Sequence, residues 1–381
     1  MRFHWFLPTS GDGRAITGGG HGLARRHGQA AASASRPPTI DYLAQVARAA
    51  EQAGFEAVLT PTGTYCEDAW LVTAALTQVT TRLKFLVAFR PGALSPTLAA
   101  QMAATYQRIS GGRLLLNVVT GGEAAEQRRF GDHLGKDERY ARTDEFLSIV
   151  RGAWDGPFDF RGNYYEVEGA TVAERPDPVP ELYFGGSSAA AGPVAARHVD
   201  VYLTWGEPPS QVAAKLDWMR ELAAAEGRTL RFGIRLHVIT RDTSKEAWAE
   251  AKRLLDQISP EDIASARAVL SRSESVGQQR MLALHEGYRG GSRGARVRDL
   301  EIHPGLWAGV GLVRGGAGTA LVGSHAEVAD LVEEYASLGV EEFVLSGYPH
   351  LEEAFWFGEG VLPELRRRGL LDAPAPVRLS A

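Results

Sequence analysis

The chain has 381 residues, enough for one large α/β barrel or two ordinary domains. Hydrophobic residues make up 44% and charged residues 23%, which excludes disorder as the dominant state. With 41 basic against 46 acidic side chains the net charge is −5, and so acidic a chain lacks the electrostatic footprint of a nucleic-acid binder.

Apolar, β-branched or aromatic runs, each closed by a turn signal, predict strands at 2–7, 57–61, 83–90, 114–120, 181–186, 199–205, 231–240 and 343–346. Most are apolar on both faces, as parallel strands covered by helices are. Helical spacing lies between them at 39–53, 67–80, 96–109, 142–154, 211–226, 244–258 and 326–338. Thr39 caps the first of these and Gly54 stops it; Gly339 stops the last. Eight strands alternating with helices predict an α/β fold, a (β/α)8 TIM barrel forming one domain over 1–381, rather than an open doubly wound sheet.

Three segments exceed a minimal barrel. Residues 11–38 are rich in Gly, Ala, Ser and Arg and read as a mobile loop. Residues 158–160 and 164–167 read as a hairpin about Arg161-Gly162-Asn163, followed by a Pro-rich connector to 180. The longest, about 260–323 between strands seven and eight, reads as an irregular lid insertion. It holds a flexible basic loop at 290–294 and a glycine-dense run at 305–318. Cys66 is the single cysteine, so no intrachain disulfide forms. The apolar run at the start is too short for a secretory signal, and nothing approaches the ~18 residues of a membrane span. A cytoplasmic location without membrane attachment is expected.

A barrel of this kind builds its site where the strands end. Gly185-Gly186-Ser187-Ser188, ahead of a helix, reads either as a phosphate cradle or as an ordinary strand–helix cap. The run 309–314 is no dinucleotide fingerprint, because Arg314 stands where the third Gly belongs. Arg235 and His237, two apart on a strand, share one face. Inside the barrel such a pair calls for an anion; otherwise it is a structural or surface pair. Arg314, on the glycine-dense lid, is either a mobile second guanidinium for an oxyanion or a solvated charge. Cys66 is a candidate nucleophile with His237 as its base, or a small buried hydrophobe. Tyr348 and His350 offer hydrogen bonds to a reactive intermediate, or pack the rim. No His-Glu-x-x-His and no cysteine pair occur, so no metal site is expected.

Several stretches together resemble the flavin-dependent alkanesulfonate monooxygenases of the bacterial-luciferase-like superfamily. They are Phe6-Leu7-Pro8-Thr9, Cys66-Glu67-Asp68-Ala69-Trp70, Arg82-Leu83-Lys84-Phe85-Leu86-Val87-Ala88 and Leu182-Tyr183-Phe184-Gly185-Gly186-Ser187-Ser188. Further matches are Tyr202-Leu203-Thr204-Trp205-Gly206-Glu207-Pro208-Pro209, Arg231-Phe232-Gly233-Ile234-Arg235-Leu236-His237-Val238, 306–323, and 344–353. The resemblance implies reduced FMN (FMNH2) and O2 as co-substrates, with the flavin delivered by a separate NAD(P)H-dependent FMN reductase. It implies cleavage of a C–S bond to an aldehyde and sulfite, in a homodimer or homotetramer. By resemblance Cys66 lies near the flavin. Arg235, His237, Arg314 and Tyr348 cluster about flavin and sulfonate, and Trp205 and His350 line the same pocket. Asn117, Tyr140, Gly186, Ser187 and Ser188 hold FMN, the serines at its phosphate. Ala88 lies against the flavin ring, where relatives carry a strained peptide.

Two features depart from the pattern. Ser10 stands where relatives have His after Pro-Thr, leaving His21 or His27 as replacements, and the 11–38 loop is longer. The alternatives are a methanesulfonate or sulfone monooxygenase of the same family, a non-catalytic flavin- or anion-binding barrel, and a deazaflavin-dependent hydride-transfer barrel.

Overall fold

Strands apolar on both faces need covering on both sides. The computed structural model, which describes residues 1–17, 36–288 and 296–372, achieves this by closing eight parallel strands into a barrel. They are β1 (Arg2–Phe6), β2 (Ala57–Thr60), β3 (Lys84–Phe89), β4 (Leu114–Val118), β5 (Leu182–Phe184), β6 (Val201–Trp205), β7 (Arg231–Arg241) and β8 (Val340–Ser346). The order runs β7-β8-β1-β2-β3-β4-β5-β6, and β6 returns to β7. All eight expected strands are present. Most end a residue or two early, while β8 starts sooner, at Val340.

Alternation along each strand sends every second side chain inward. Phe6, Leu59, Leu86, Leu115, Leu203 and Val344 meet there in a layer of their own. Gly233, inward on β7, makes room for it: a Cβ there would lie 2.6 Å from Leu203 Cδ2. The opposite faces pack on the helices through Trp5, Phe85, Phe89, Phe146 and Phe343. Helix Ile40–Ala53 starts at Thr39, whose hydroxyl accepts from the Tyr42 amide at 3.3 Å, and stops at Gly54. Helix Lys136–Asp155 begins six residues before the predicted 142.

The insertions differ more. The expected hairpin forms, with Phe158–Arg161 antiparallel to Glu166–Ala170. The expected irregular lid at 260–323 is instead built from elements. Helices Pro260–Leu270 and Val276–Ala283 precede short strands Glu301–His303 and Leu306–Trp307, then strand Ala320–Ser324. That last strand pairs with β7 from Ala320↔His237 to Ser324↔Arg241. The Gly206 amide donates to the Arg235 carbonyl (3.1 Å) and the His237 amide to the Thr319 carbonyl (2.8 Å). Arg235 and His237 are two apart and so bond along one edge, which places Ala320–Ser324 where β6 leaves off. The basic loop at 290–294 lies outside the described residues. Of the 11–38 loop, 18–35 lie outside them, with His21 and His27. Its two ends are joined, Asp12 and Arg36 exchanging backbone hydrogen bonds of 3.0 and 3.1 Å.

The inward residues at the N-terminal end of the barrel are charged and compensated. Glu342, fully buried, accepts from Tyr183 Oη (2.7 Å), meets His4 Nε2 (2.9 Å) and pairs with Arg231 Nη1 (2.9 Å). Burial opposes the Glu342 charge, but His4, Tyr183 and Arg231 outweigh it and hold its pKa below the usual 4.5. A depressed carboxylate stabilises the fold above its unfolded pKa, and that contribution is lost as pH falls through the folded value. Glu342→Gln is therefore expected to cost about 2 kcal/mol in urea unfolding at neutral pH, because it removes the buried charge that Tyr183, His4 and Arg231 meet, while Arg231 keeps Glu181. The gap to wild type should narrow as pH drops below about 4.5; a constant gap would contradict this account.

Candidate active site

At the opposite end, where β1–β8 finish, the inward positions are Ala88 on β3, Asn117 on β4, Trp205 on β6, Arg235 and His237 on β7 and Ser346 on β8. Ala88 pairs in register with Asn117, and Trp205 with Arg235. Trp205 lies against Gly277 of helix Val276–Ala283. The peptides about Ala88 are trans; the cis bonds among the described residues are Asp177–Pro178 and Tyr348–Pro349.

Arg235 and His237 do face the barrel interior. Arg235 directs Nη1 to the Leu236 carbonyl and, at 3.4 Å, to that of Val344; Nη2 donates to Ser346 Oγ at 2.8 Å. Its Cζ sits 4.9 Å from the Phe6 ring centroid. Among the described residues no carboxylate pairs with it. Burial pushes its pKa down to about 10, with Tyr348 working against the shift and Arg314 adding to it. Ser346 Oγ also meets His237 Nδ1 at 2.7 Å, and His237 Nε2 lies 3.1 Å from the Ala317 carbonyl. A carbonyl only accepts, so Nε2 carries the proton and Nδ1 accepts from Ser346. Burial, then the two arginines, hold His237 neutral. With both nitrogens engaged, His237 is not placed to act as a base toward Cys66.

Cys66 is also unsuited to that pairing. Its Sγ faces the carbonyls of Pro61 (3.6 Å) and Gly63 (3.5 Å), and burial pushes the thiol up to about 12. The thiolate is the nucleophilic form, so the proposed nucleophile is a protonated, half-buried thiol.

Arg314 corrects the reading of a mobile lid. Gly309–Leu312 form a buried 3-10 turn whose Gly311 amide donates to the Gly318 carbonyl at 2.8 Å. Val310, Leu312 and Val313 pack into a second hydrophobic cluster with Trp248 and Trp307. The Gly316 amide donates to Gln278 Oε1 (2.9 Å), and Ala317 holds His237. The Arg314 Cζ thus rests 5.3 Å from the Tyr348 ring centroid on a packed loop, with no ion-pair partner among the described residues. Tyr348 is stacked on His237 (5.4 Å, 22°), and its hydroxyl is buried without a partner among the described residues. His350 meets Tyr348 edge-on at 5.5 Å.

The Gly-Gly-Ser-Ser turn does cap the helix Ala191–His198, through Ser188, whose carbonyl accepts from the Gly192 amide at 3.2 Å. Ser188 Oγ accepts from the Ala191 amide at 3.3 Å, and Tyr202 Oη donates to the Gly186 carbonyl at 2.7 Å. Tyr140 and Tyr202 stand beside Ser188 and Ser187, whose hydroxyls offset part of the burial that raises both phenols. A Cβ at Gly186 would lie 2.7 Å from Ala191 Cβ and 3.1 Å from the Phe184 ring, so only glycine lets the turn close. Hydroxyls and main-chain amides grouped ahead of a helix suit a phosphate monoester.

Sequence reasoning missed Ser346, Asp12 and the buried Arg90–Glu126 pair, 2.5 Å apart. Strand alternation could have found Ser346 from Val344, and Arg90 from Ala88. Arg90 Nε and Nη1 and Gln127 Nε2 are buried without partners among the described residues. Such orphaned donors beside Ala88 and Asn117 suit a planar heterocycle rich in acceptors.

The comparisons bear on the family and the fold. Residues 1–342 match the family described as luciferase-like monooxygenase. The chain belongs to this family. Flavin-dependent oxidoreductase chemistry follows at the family level. This luciferase-like chain is similar to a riboflavin lyase solved with modified FMN and riboflavin, at 24% identity and a TM-score of 0.76, covering 98% of this chain and 94% of that one. It is similar to a long-chain alkane monooxygenase at 20% and 0.77, covering 98% and 93%. A third match is DmoA from Hyphomicrobium sulfonivorans at 20% and 0.74, covering 98% and 89%. These likenesses speak for the fold. Among the described residues no group of three or more His, Cys, Asp or Glu could hold a metal ion, and no helix is long and apolar enough to cross a membrane.

Raising a thiol from 9.0 to about 12 lowers its thiolate fraction about 10³-fold. Iodoacetamide at pH 8 is therefore expected to alkylate the native chain orders of magnitude more slowly than the urea-unfolded chain; equal rates would refute the buried, protonated Cys66.

Proposed function

We propose that this chain is the oxygenase of a two-component system that cleaves the C–S bond of alkanesulfonates, using reduced FMN and O2 and releasing an aldehyde and sulfite. The observation that carries the reading is the pair Arg235 and Arg314, two guanidiniums at the barrel mouth without a carboxylate between them. Both guanidiniums are half-buried and repel each other, and an oxyanion between them relieves that repulsion. This separates the readings within the family: a sulfonate is an anion, whereas a sulfone is neutral and leaves both cations uncompensated. It also separates sulfonates from alkanes on the same physical ground.

The remaining residues divide the work. Ser187, Ser188, Tyr140 and Gly186 would hold the FMN phosphate, and Ala88 and Asn117 would border its ring. Reduced flavin supplies the electrons for oxygen activation. Arg235 and Arg314 bind and orient the sulfonate, Trp205 and Tyr348 wall the site, and Cys66 borders the flavin. His237, neutral and bonded to Ser346 and Ala317, positions both the Arg235 side of the site and the Arg314 loop. A separate NAD(P)H-dependent FMN reductase delivers the flavin, as the family resemblance implies. The protein works in the cytoplasm as a homodimer or homotetramer.

The decisive assay measures sulfite from a series of alkanesulfonates, methanesulfonate to long chains, with FMN, NADPH, O2 and a generic flavin reductase. Sulfite from the longer chains is expected; release confined to methanesulfonate moves the substrate, and none from any sulfonate sinks the reading. Arg314→Ala is expected to cut kcat/KM for the sulfonate at least about 100-fold, the loss of a charge-assisted oxyanion contact. FMN affinity, read by fluorescence quenching, should change less than about threefold. Ser187→Ala with Ser188→Ala should do the reverse, weakening FMN about tenfold or more.

A further inference from the structure

Asp12 and His350 form a pair that the reading above leaves unused. Asp12 lies in the loop after β1 and is buried, and its carboxylate receives four hydrogen bonds. Oδ1 accepts from the Gly13 amide (2.8 Å) and meets His350 Nδ1 (2.9 Å); Oδ2 accepts from the His350 amide (2.9 Å) and Tyr42 Oη (2.5 Å). Burial opposes the Asp12 charge, but His350, Tyr42 and Gly13 outweigh it, so the group is held ionised. An ionised carboxylate only accepts, which puts the His350 ring proton on Nδ1.

The main chain of His350 is held as well, and aromatic rings flank its side chain. Trp5 Nε1 donates to the His350 carbonyl at 2.9 Å. Phe6 lies 5.7 Å away and Tyr348 meets the ring edge-on. Nε2, remote from Asp12, has no partner among the described residues. His350 is near enough to bear electrostatically on His237, which places it in one cluster with Arg235 and Arg314. An imidazole with one nitrogen fixed by a buried carboxylate and the other bare is the arrangement of a proton acceptor.

We propose that His350 is the proton acceptor of this site, through Nε2, and that Asp12 is the positioning residue that keeps it in that tautomer. The proposal rests on the C–S cleavage reading. In that reaction the substrate carbon passes from CH2 to CHO. The C–H proton goes to His350 Nε2 and the electrons of that bond enter the new C–O bond. The C–S pair then leaves with sulfite as C=O forms. One oxygen of O2 ends in the aldehyde and the other in water, with reduced flavin as the reductant. The imidazolium is held by Asp12 until its proton passes to water.

The test begins without substrate. Long-range proton–nitrogen NMR on the full chain with ¹⁵N-labelled histidine reads which nitrogen of His350 is protonated, assigned by its loss in His350→Gln. Wild type is expected to show Nδ1–H with a bare Nε2. Asp12→Asn removes the charge and one of the two acceptor oxygens, so the Nδ1–H form loses its preference and the ring proton is expected to shift toward Nε2. With an alkanesulfonate, Asp12→Asn should lower kcat at least about 100-fold, within the range of general-base catalysis, while KM changes less than about threefold. Wild type with the proton on Nε2, or Asp12→Asn with wild-type kcat, overturns the proposal. Should Asp12→Asn not fold, His350→Ala supplies the kinetic arm: added imidazole should restore its rate at least about tenfold, and no restoration counts against the proposal. A wild-type chain with the Nδ1–H form that releases no sulfite overturns the substrate reading and leaves the pair assigned.

Discussion

The barrel depends on one strand, β7, whose inward positions are Arg231, Gly233, Arg235 and His237. Alternation forces all four to face the interior once any one does. A strand with cations at both ends and no side chain in the middle cannot be buried against an apolar wall. The neighbours supply the answer. Leu203 fills the space at Gly233, and Glu342 meets Arg231 from β8. Arg235 reaches Ser346 on that same strand. A one-residue slip of β7 would put these cations into the helix-facing layer and abolish every one of these contacts, so the register of β7 sets the register of its neighbours.

The two ends of the barrel treat the same problem in opposite ways. At the N-terminal end Arg2, Lys84 and Arg231 face Glu56, Glu181 and Glu342, and the charges are paired within the protein. At the C-terminal end Arg235 and Arg314 find aromatic faces, Phe6 and Tyr348, and main-chain carbonyls, but no carboxylate among the described residues. The first arrangement stabilises the fold whether or not anything binds. The second leaves an electrostatic deficit in the place where barrel enzymes do chemistry. Neutral His237 suits that deficit, because a third cation would deepen the repulsion and an anion would cancel the site's affinity for one.

The eight strands, and the inward face that Arg235 and His237 share, were legible because both rest on short-range rules. Apolar runs close with glycine, and residues two apart share a face. What failed rests on partners distant in sequence. The strand Ala320–Ser324 sits behind a glycine-dense run and exists because β7 is long enough to offer it an edge. The run itself looked mobile, yet its glycines serve contact, Gly311 against Gly318, rather than freedom. Cys66 looked reactive because its carbonyl cage and its burial are tertiary facts. Asp12 carried no local signal at all: His350 lies 338 residues away.

A packed Arg314 loop changes how the site meets its ligand. A mobile guanidinium would lose side-chain and loop freedom on closing, at about 0.5–1.5 kcal/mol per immobilised side chain. Here that loss is met during folding, through Gln278, His237 and the Gly311–Gly318 contact. Folding also holds Arg314 near Arg235, against their repulsion. Both terms then favour an incoming oxyanion, one as freedom no longer to be lost and the other as repulsion relieved. Because His237 joins Ser346 to Ala317, the two arginines are fixed through one imidazole. Replacing it disturbs both while removing no charge, which is how a neutral residue comes to govern an electrostatic site.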